Sequence, residues 1–142
     1  VTRTRIELET LALRRAIELG DAGWAEGVRA AYAELAAAPL PAPGEPGPPF
    51  ETWRRRHQRF HLALLAACRS EWLLRFHNVL YEQSERYRFL AHSTRSRDVD
   101  GEHRRIVEAA LARDAPAAVQ ALAEHLALTA GIIADRIQEG RR

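Results

Sequence analysis

The stretch "EHRRIVEAALARDAPAAVQALAEHL", residues 102–126, predicts two helices joined by a tight turn. Apolar residues recur at spacings of three and four on both sides of the turn, which is the period of an amphipathic helix. Asp114 is a typical helix N-cap, and Pro116 then falls in the first helical turn, where its missing amide donor costs little. The stretch therefore predicts a helical hairpin.

The same spacing continues through the rest of the chain, and no alternating run of β-branched residues bounded by turns indicates a strand. The predicted fold class is all-α, an antiparallel bundle of about six helices joined mostly by short links. The first four predicted helices cover about residues 3–19, 22–37, 51–68 and 71–91. The fifth is capped by Asp98 or Asp100 and ends near Arg113. The sixth follows Asp114 and ends near Gln138. Six of the seven prolines fall in residues 38–50, which predicts a loop. Residues 1–142 are predicted to form one domain.

Composition excludes several function classes. The formal net charge is only +2, with arginines scattered among nearly as many acids, so direct DNA binding by these residues is not expected. Cys68 is the only cysteine; it rules out an intramolecular disulfide and a cysteine-based zinc motif, and core packing is its expected role. No run of about 18 apolar residues predicts a membrane span. No nucleophile motif, phosphate-binding glycine loop or His-Glu-x-x-His motif is present, so we do not expect an enzyme.

Four histidines share the apolar faces of three predicted helices. His57 and His61 lie one turn apart on the third helix, while His103 and His125 are in phase with the apolar stripes of the fifth and sixth. Neutral imidazole is a common ligand for transition metals, and one ion would satisfy four buried lone pairs at once. A histidine on an apolar stripe is also often a hydrogen-bonded core residue. Spacing alone leaves both interpretations open.

The remaining polar candidates are less specific. His77 is partly in phase with its helix's apolar residues and is expected to line an interior cavity or a helix contact, whereas His92 is expected to be solvated. Glu102 and Glu124 each immediately precede one of the four histidines. Because adjacent helical side chains point about 100° apart, these glutamates are expected to face solvent or to stand behind the ligands rather than among them.

Three segments, taken in order, resemble a known domain. They are "RIELETLALRRAI" at residues 5–17, "HQRFHLALLAA" at residues 57–67 and the hairpin stretch at residues 102–126. Together they resemble the FCD domain, the C-terminal effector-binding domain of FadR-type GntR-family transcription regulators. The likeness covers essentially the whole chain, and the last segment is the most specific. The first helix matches the family pattern through Arg5, Leu8 and Glu9.

This resemblance implies a bundle that holds one divalent metal at the floor of a small-molecule cavity, with one aspartate and three histidines as ligands. His61, His103 and His125 fall on the histidine positions. His57 occupies the aspartate position, which is a departure, as is Ser70 where an asparagine is usual. Four neutral ligands would leave the charge of a dication uncompensated, so we expect zinc, nickel or copper, with zinc favoured, and an anionic effector.

The resemblance also implies an effector and partners. The effector is expected to be a small organic acid, in contact with Arg5, Tyr81, Ser84 and Arg88. Either arginine could hold a carboxylate bidentately, although arginines at such positions are more often on the surface. We expect a cytoplasmic homodimer with no membrane contact, which meets operator DNA only through a winged helix-turn-helix upstream of this chain. The alternatives are a metal-dependent enzyme and a metal-free helical interaction module on the same bundle.

Overall fold

The structure is a computed structural model that describes residues 1–39, 47–87 and 97–142. The helices in these ranges are α1 (Thr2–Leu19), α2 (Ala22–Ala37), α3 (Pro48–Leu65), α4 (Glu71–Glu85), α5 (Val99–Leu111) and α6 (Ala115–Gly140), and a 3₁₀ turn (Ala66–Cys68) follows α3. The described residues contain no strand, so the predicted all-α fold class is confirmed.

Side-chain caps begin four of these helices. Asp21, Ser70, Asp98 and Asp114 each accept a hydrogen bond from the backbone N–H three residues later, at 2.9, 3.2, 2.9 and 3.2 Å. Such a bond satisfies one of the amides that a helix leaves without an intrahelical partner. The fifth helix is therefore capped by Asp98 rather than by Asp100.

Two predicted boundaries are wrong. The loop predicted over residues 38–50 ends too late, because α3 already begins at Pro48. Pro48 and Pro49 fit there because the first helical turn needs no amide donor from them. Helix α4 ends at Glu85 and is followed by a turn, before its predicted end near residue 91. Residues 40–46 of the predicted loop and residues 88–91 of the predicted helix lie outside the described ranges.

The helices pack as neighbours around one core. Helix α6 packs along both α1 and α5, and α2 packs against α3. Two side chains tie separate parts of the bundle together: the Trp24 indole donates to the Leu64 carbonyl at 3.2 Å, and Arg113 donates to the Ile17 and Gly20 carbonyls at 2.7 and 2.8 Å. The second tie joins the turn before α6 to the end of α1.

Helix α6 is the one described helix whose length and hydropathy would also suit a membrane span. This is weak evidence, because a core helix of a soluble protein passes the same test. Its inward face carries Ala118, Leu122, His125 and Leu126, all buried in the bundle.

Candidate metal centre

Helices α3, α5 and α6 bring the four histidines together. The side chains of His57, His61, His103 and His125 are all buried, and each offers a ring nitrogen such that all four atoms lie within 4.8 Å of one another. The Nε2 atoms of His57 and His61 are already 3.1 Å apart. Nitrogens bound tetrahedrally to zinc are about 3.4 Å apart, given Zn–N bonds of about 2.0–2.1 Å. The four histidines could therefore form a metal site with small side-chain movements.

The imidazole rings form one packed cluster rather than four separate contacts. The ring centroids of His103 and His125 are 4.6 Å apart, and those of His57 and His103 are 5.0 Å apart. Trp53 stacks on His57 with its ring centroid at 4.5 Å. Although three arginines precede it in the sequence, the His57 side chain is fully buried and does not extend to solvent.

Polar groups stand behind three of the rings. Glu102 Oε1 lies 2.8 Å from Nδ1 of His125, and Glu9 Oε2 lies 3.7 Å from Nδ1 of His61. The Tyr81 hydroxyl lies 2.9 Å from Nδ1 of His57. The Glu102 carboxylate can only accept at this distance, and an acceptor at Nδ1 favours the tautomer of His125 that leaves Nε2 free of a proton, which is the form that binds a metal.

Glu9 is the hub of a buried charge cluster. Its Oε1 atom accepts from Nε of Arg5 at 2.7 Å and lies 2.9 Å from Nδ1 of His77. Burial acts to raise the pKa of Glu9, but Arg5, His61 and His77 together hold it well below its ordinary value. His77, expected at a cavity or a helix contact, thus lies at a buried contact between α4 and α1.

Arg97 anchors the second glutamate. It donates to both oxygens of Glu102 at 2.8 and 2.7 Å, and to Thr129 Oγ1 at 2.6 Å. Burial opposes the charge of Glu102, but Arg97 and His125 lower the pKa of its carboxyl to about 2.

The two glutamates stay charged despite their burial, whereas burial keeps the imidazole of His61 uncharged. Loss of solvent outweighs the contact with Glu9 and lowers the pKa of His61 to about 3. The ring is therefore neutral at pH 7, and neutral imidazole is the form of histidine that donates a lone pair to a metal.

The predicted effector residues are placed differently from one another. Arg5 and Ser84 both line a cavity of about 360 Å³ between α1, α4 and α6. Tyr81 does not line it; it borders a second cavity of about 340 Å³, and its hydroxyl contacts His57. Arg88 lies outside the described residues, as does His92. None of the four histidines is among the residues that line the larger cavity.

The two glutamates that precede histidines have separate environments. Glu102 is buried against His125, whereas Glu124 is exposed and accepts a hydrogen bond from Gln120 at 3.0 Å. The buried position of Glu9 beside His61 and His77 was not predicted, although a charged residue in phase with the apolar stripe of α1 is a usable signal. Arg97 was missed too, and it carries no such signal because it lies in a predicted connector.

A comparison with protein families matches residues 1–128 to the FCD domain. The chain belongs to the FCD-domain family. Its FCD domain is 37% identical over 132 residues to the uncharacterized HTH-type transcriptional regulator BphR of Paraburkholderia xenovorans strain LB400, a match that covers 92% of this chain and 54% of BphR. It is also 35% identical over 82 residues to the HTH-type transcriptional repressor GlaR of Escherichia coli K12, which covers 54% of this chain and 37% of GlaR. No solved structure gives a significant match.

The chain spans about half the length of BphR. Both relatives are named as transcriptional regulators and neither as an enzyme, in agreement with the expectation that this FCD domain is not an enzyme. Family membership supports a regulatory effector-binding domain. FCD domains often bind metal, which agrees with the geometry of the four buried histidines.

Proposed function

We propose that this FCD domain is a metal-containing, small-carboxylate-sensing and dimerisation domain of a GntR-family regulator of the FadR type. The proposal rests on one observation: four buried histidines on three helices place a nitrogen each within 4.8 Å of the others. Buried rings lose their contact with water, and one ion would bind a lone pair from each of the four imidazoles together.

The donor set favours particular metals. All four candidate ligands are neutral nitrogens, which suit zinc, nickel and copper, whereas magnesium and manganese prefer oxygen ligands. Zinc is the favoured occupant because four nitrogens at these separations suit its tetrahedral geometry. His57, His61, His103 and His125 would hold it, and the ion would supply a positive charge in the interior of the bundle.

Arg5 supports an acidic effector. Its side chain is 5% exposed, and its Nη2 atom makes no hydrogen bond to any residue that the structure describes. A buried guanidinium with an unused edge suits a carboxylate. The cavity beside it also has apolar walls from α6, formed by Leu126, Ala130, Ile133, Ala134 and Ile137. We therefore propose an acid with an apolar body, with Arg5 and Ser84 as contacts; Tyr81 and Arg88 remain further candidates.

The sensing event has to act on the whole regulator. We propose that the full-length protein is a cytoplasmic homodimer, and that it contacts operator DNA through a winged helix-turn-helix upstream of residue 1. Ligand binding would then work by favouring one arrangement of the two DNA-binding heads over another. A gel-shift with this chain alone should show no operator binding.

Elemental analysis tests the metal. Protein purified without chelator should carry one transition-metal ion per chain, or take up one zinc ion after incubation. His103→Ala and His125→Ala should each lower the affinity strongly, because each removes one of four ligands, while Arg104→Ala, next to His103 and exposed, should not. Wild-type protein that binds no zinc would overturn the proposal, as would unchanged affinity in both histidine variants.

Thermal shift tests the effector. Small carboxylic acids with an aliphatic or aromatic body should raise the melting temperature of the metal-loaded protein more than acetate does, because their apolar part also packs against the apolar wall of the cavity. Arg5→Gln should abolish this shift. Arg3→Gln, which changes an exposed arginine two residues earlier on α1, should preserve it. An equal shift in the Arg5→Gln protein would remove Arg5 from the effector site.

A further inference from the structure

Two buried glutamates stand directly behind the histidine cluster. Glu102 on α5 places Oε1 2.8 Å from Nδ1 of His125 on α6. Glu9 on α1 places Oε2 3.7 Å from Nδ1 of His61 on α3. The side chain of Glu9 is fully buried and that of Glu102 is 9% exposed. An imidazole ligand brings no negative charge to a metal, and these two carboxylates place negative charge beside two of the candidate ligands.

Each glutamate is held from its other side by an arginine. The Arg5 guanidinium contacts Glu9 at 2.7 Å, and the Arg97 guanidinium contacts both oxygens of Glu102. Charge-assisted bonds of this kind are strong and directional, and the two-point contact of Arg97 also fixes the plane of the Glu102 carboxylate. The Glu102 carboxylate therefore cannot turn away from His125 without breaking a contact with Arg97.

We propose that Glu9 and Glu102 are positioning residues for the metal, which they would not touch. Glu102 would accept from Nδ1 of His125, and Glu9 would place its charge beside Nδ1 of His61, so that Nε2 of each ring is turned towards the ion with its lone pair available. The carboxylates also place negative charge close to a dication whose immediate ligands have none. Partners of this kind, one shell beyond the ligands, typically change metal affinity by about 10–100-fold. The inference rests on the proposed metal site.

The two contacts predict an order of effects. Glu102 lies within hydrogen-bond distance of Nδ1 of His125, whereas Glu9 is 3.7 Å from its histidine and also serves Arg5 and His77. Glu102 should therefore contribute more to metal affinity than Glu9. A purely structural role would give a different pattern, since the loss would then appear in the stability of the metal-free protein and leave zinc affinity unchanged in the folded fraction.

The test compares three glutamine variants in an otherwise unchanged chain. Glu102→Gln and Glu9→Gln remove the charge and keep the size, and Glu124→Gln does the same to an exposed glutamate directly before His125. Zinc affinity is measured by competition with a chromophoric chelator, and cobalt-loaded protein gives the d–d absorption spectrum as a second readout. We expect zinc affinity to fall about 10–100-fold in Glu102→Gln, by less in Glu9→Gln and not at all in Glu124→Gln. Glu102→Asp should recover part of the loss because it restores the charge.

The outcomes separate this inference from the proposed function. If wild-type protein binds one zinc ion and both folded variants bind it equally well, the glutamates have no positioning role and the metal site stands. If wild-type protein binds no zinc, the proposed metal site is wrong, and the positioning role of the glutamates is wrong with it.

Nitrogen-15 NMR of the histidine rings in the wild-type protein keeps the inference testable even if a variant does not fold. Protons on Nδ1 of His61 and His125 are expected, and protons on Nε2 of both rings would overturn it.

Discussion

The two halves of the bundle have opposite interiors. Among the residues that the structure describes, those buried in the half near the α1–α2 turn are apolar, and they include Leu13, Ala16, Ile17, Trp24, Val28, Ala118 and Leu122. We call this the apolar half. Further along the same helices, the histidine half buries Arg5, Glu9, His57, His61, His77, Glu102, His103, His125 and Thr129.

The difference shows that apolar and polar burial contribute differently to the stability of the fold. Apolar burial stabilises at roughly 25 cal/mol per Å² and needs no partner of defined geometry. Buried charges must recover a desolvation penalty through well-placed contacts, so they add little stability compared with apolar residues of the same volume. The histidine half is therefore better explained by binding than by folding, and the apolar half supplies the stability that keeps it in place.

The largest expected effect tests whether the charges of the histidine half depend on one another. Arg5→Met should lower the free energy of unfolding by about 3–5 kcal/mol, because it leaves the buried Glu9 without its guanidinium partner. The double variant Arg5→Met/Glu9→Gln should lose much less, since no uncompensated charge remains. Urea denaturation of metal-free protein measures both, and equal losses in the single and double variants would contradict the argument.

A substitution in the apolar half should affect stability alone. Ile17→Ala removes a side chain that is 4% exposed and should lower the free energy of unfolding by about 2–5 kcal/mol. Zinc affinity should be unchanged, because Ile17 lies two turns from Glu9 along α1. Leu11→Ala, at an exposed position on the same helix, is the control and should be nearly neutral. A large loss of zinc affinity in Ile17→Ala would contradict the argument that the apolar half affects stability alone.

The smallest effect concerns an uncharged contact inside the histidine half. Tyr81→Phe removes the hydroxyl that lies 2.9 Å from Nδ1 of His57, and should lower the free energy of unfolding by about 0.5–1.5 kcal/mol. Its effect on zinc affinity should be smaller than that of Glu102→Gln, because a hydroxyl brings no charge. A chelator competition on both variants checks this order, and a larger loss in Tyr81→Phe would make the hydroxyl the more important contact.

The prediction from sequence was strongest where the signal is local. The N-cap at Asp114 and the end of the first helix at residue 19 depend on residues within one turn, and both appear as predicted. The predicted start of α3 was wrong because Pro48 and Pro49 were assigned to the proline-rich loop, although they stand in the first helical turn, which accepts proline as it does at Pro116.

The candidate site was only partly predictable for the same reason. The inward phase of His61, His103 and His125 follows from the helical period, whereas the partners behind them come from other helices. Glu9 lies 52 positions before His61 in the sequence, and nothing in either segment indicates their 3.7 Å separation.

The sequence by itself determined the all-α fold class, the N-cap at Asp114 and the inward phase of His61, His103 and His125, because each of these follows from hydrogen bonding and periodicity within a few residues. Only the tertiary structure decided that His57 is buried beside Tyr81, and that Glu9 and Glu102 lie behind the histidine rings. Those relations depend on how α1, α3, α4, α5 and α6 cross one another, and crossing geometry is set by the packing of the whole core rather than by any one segment.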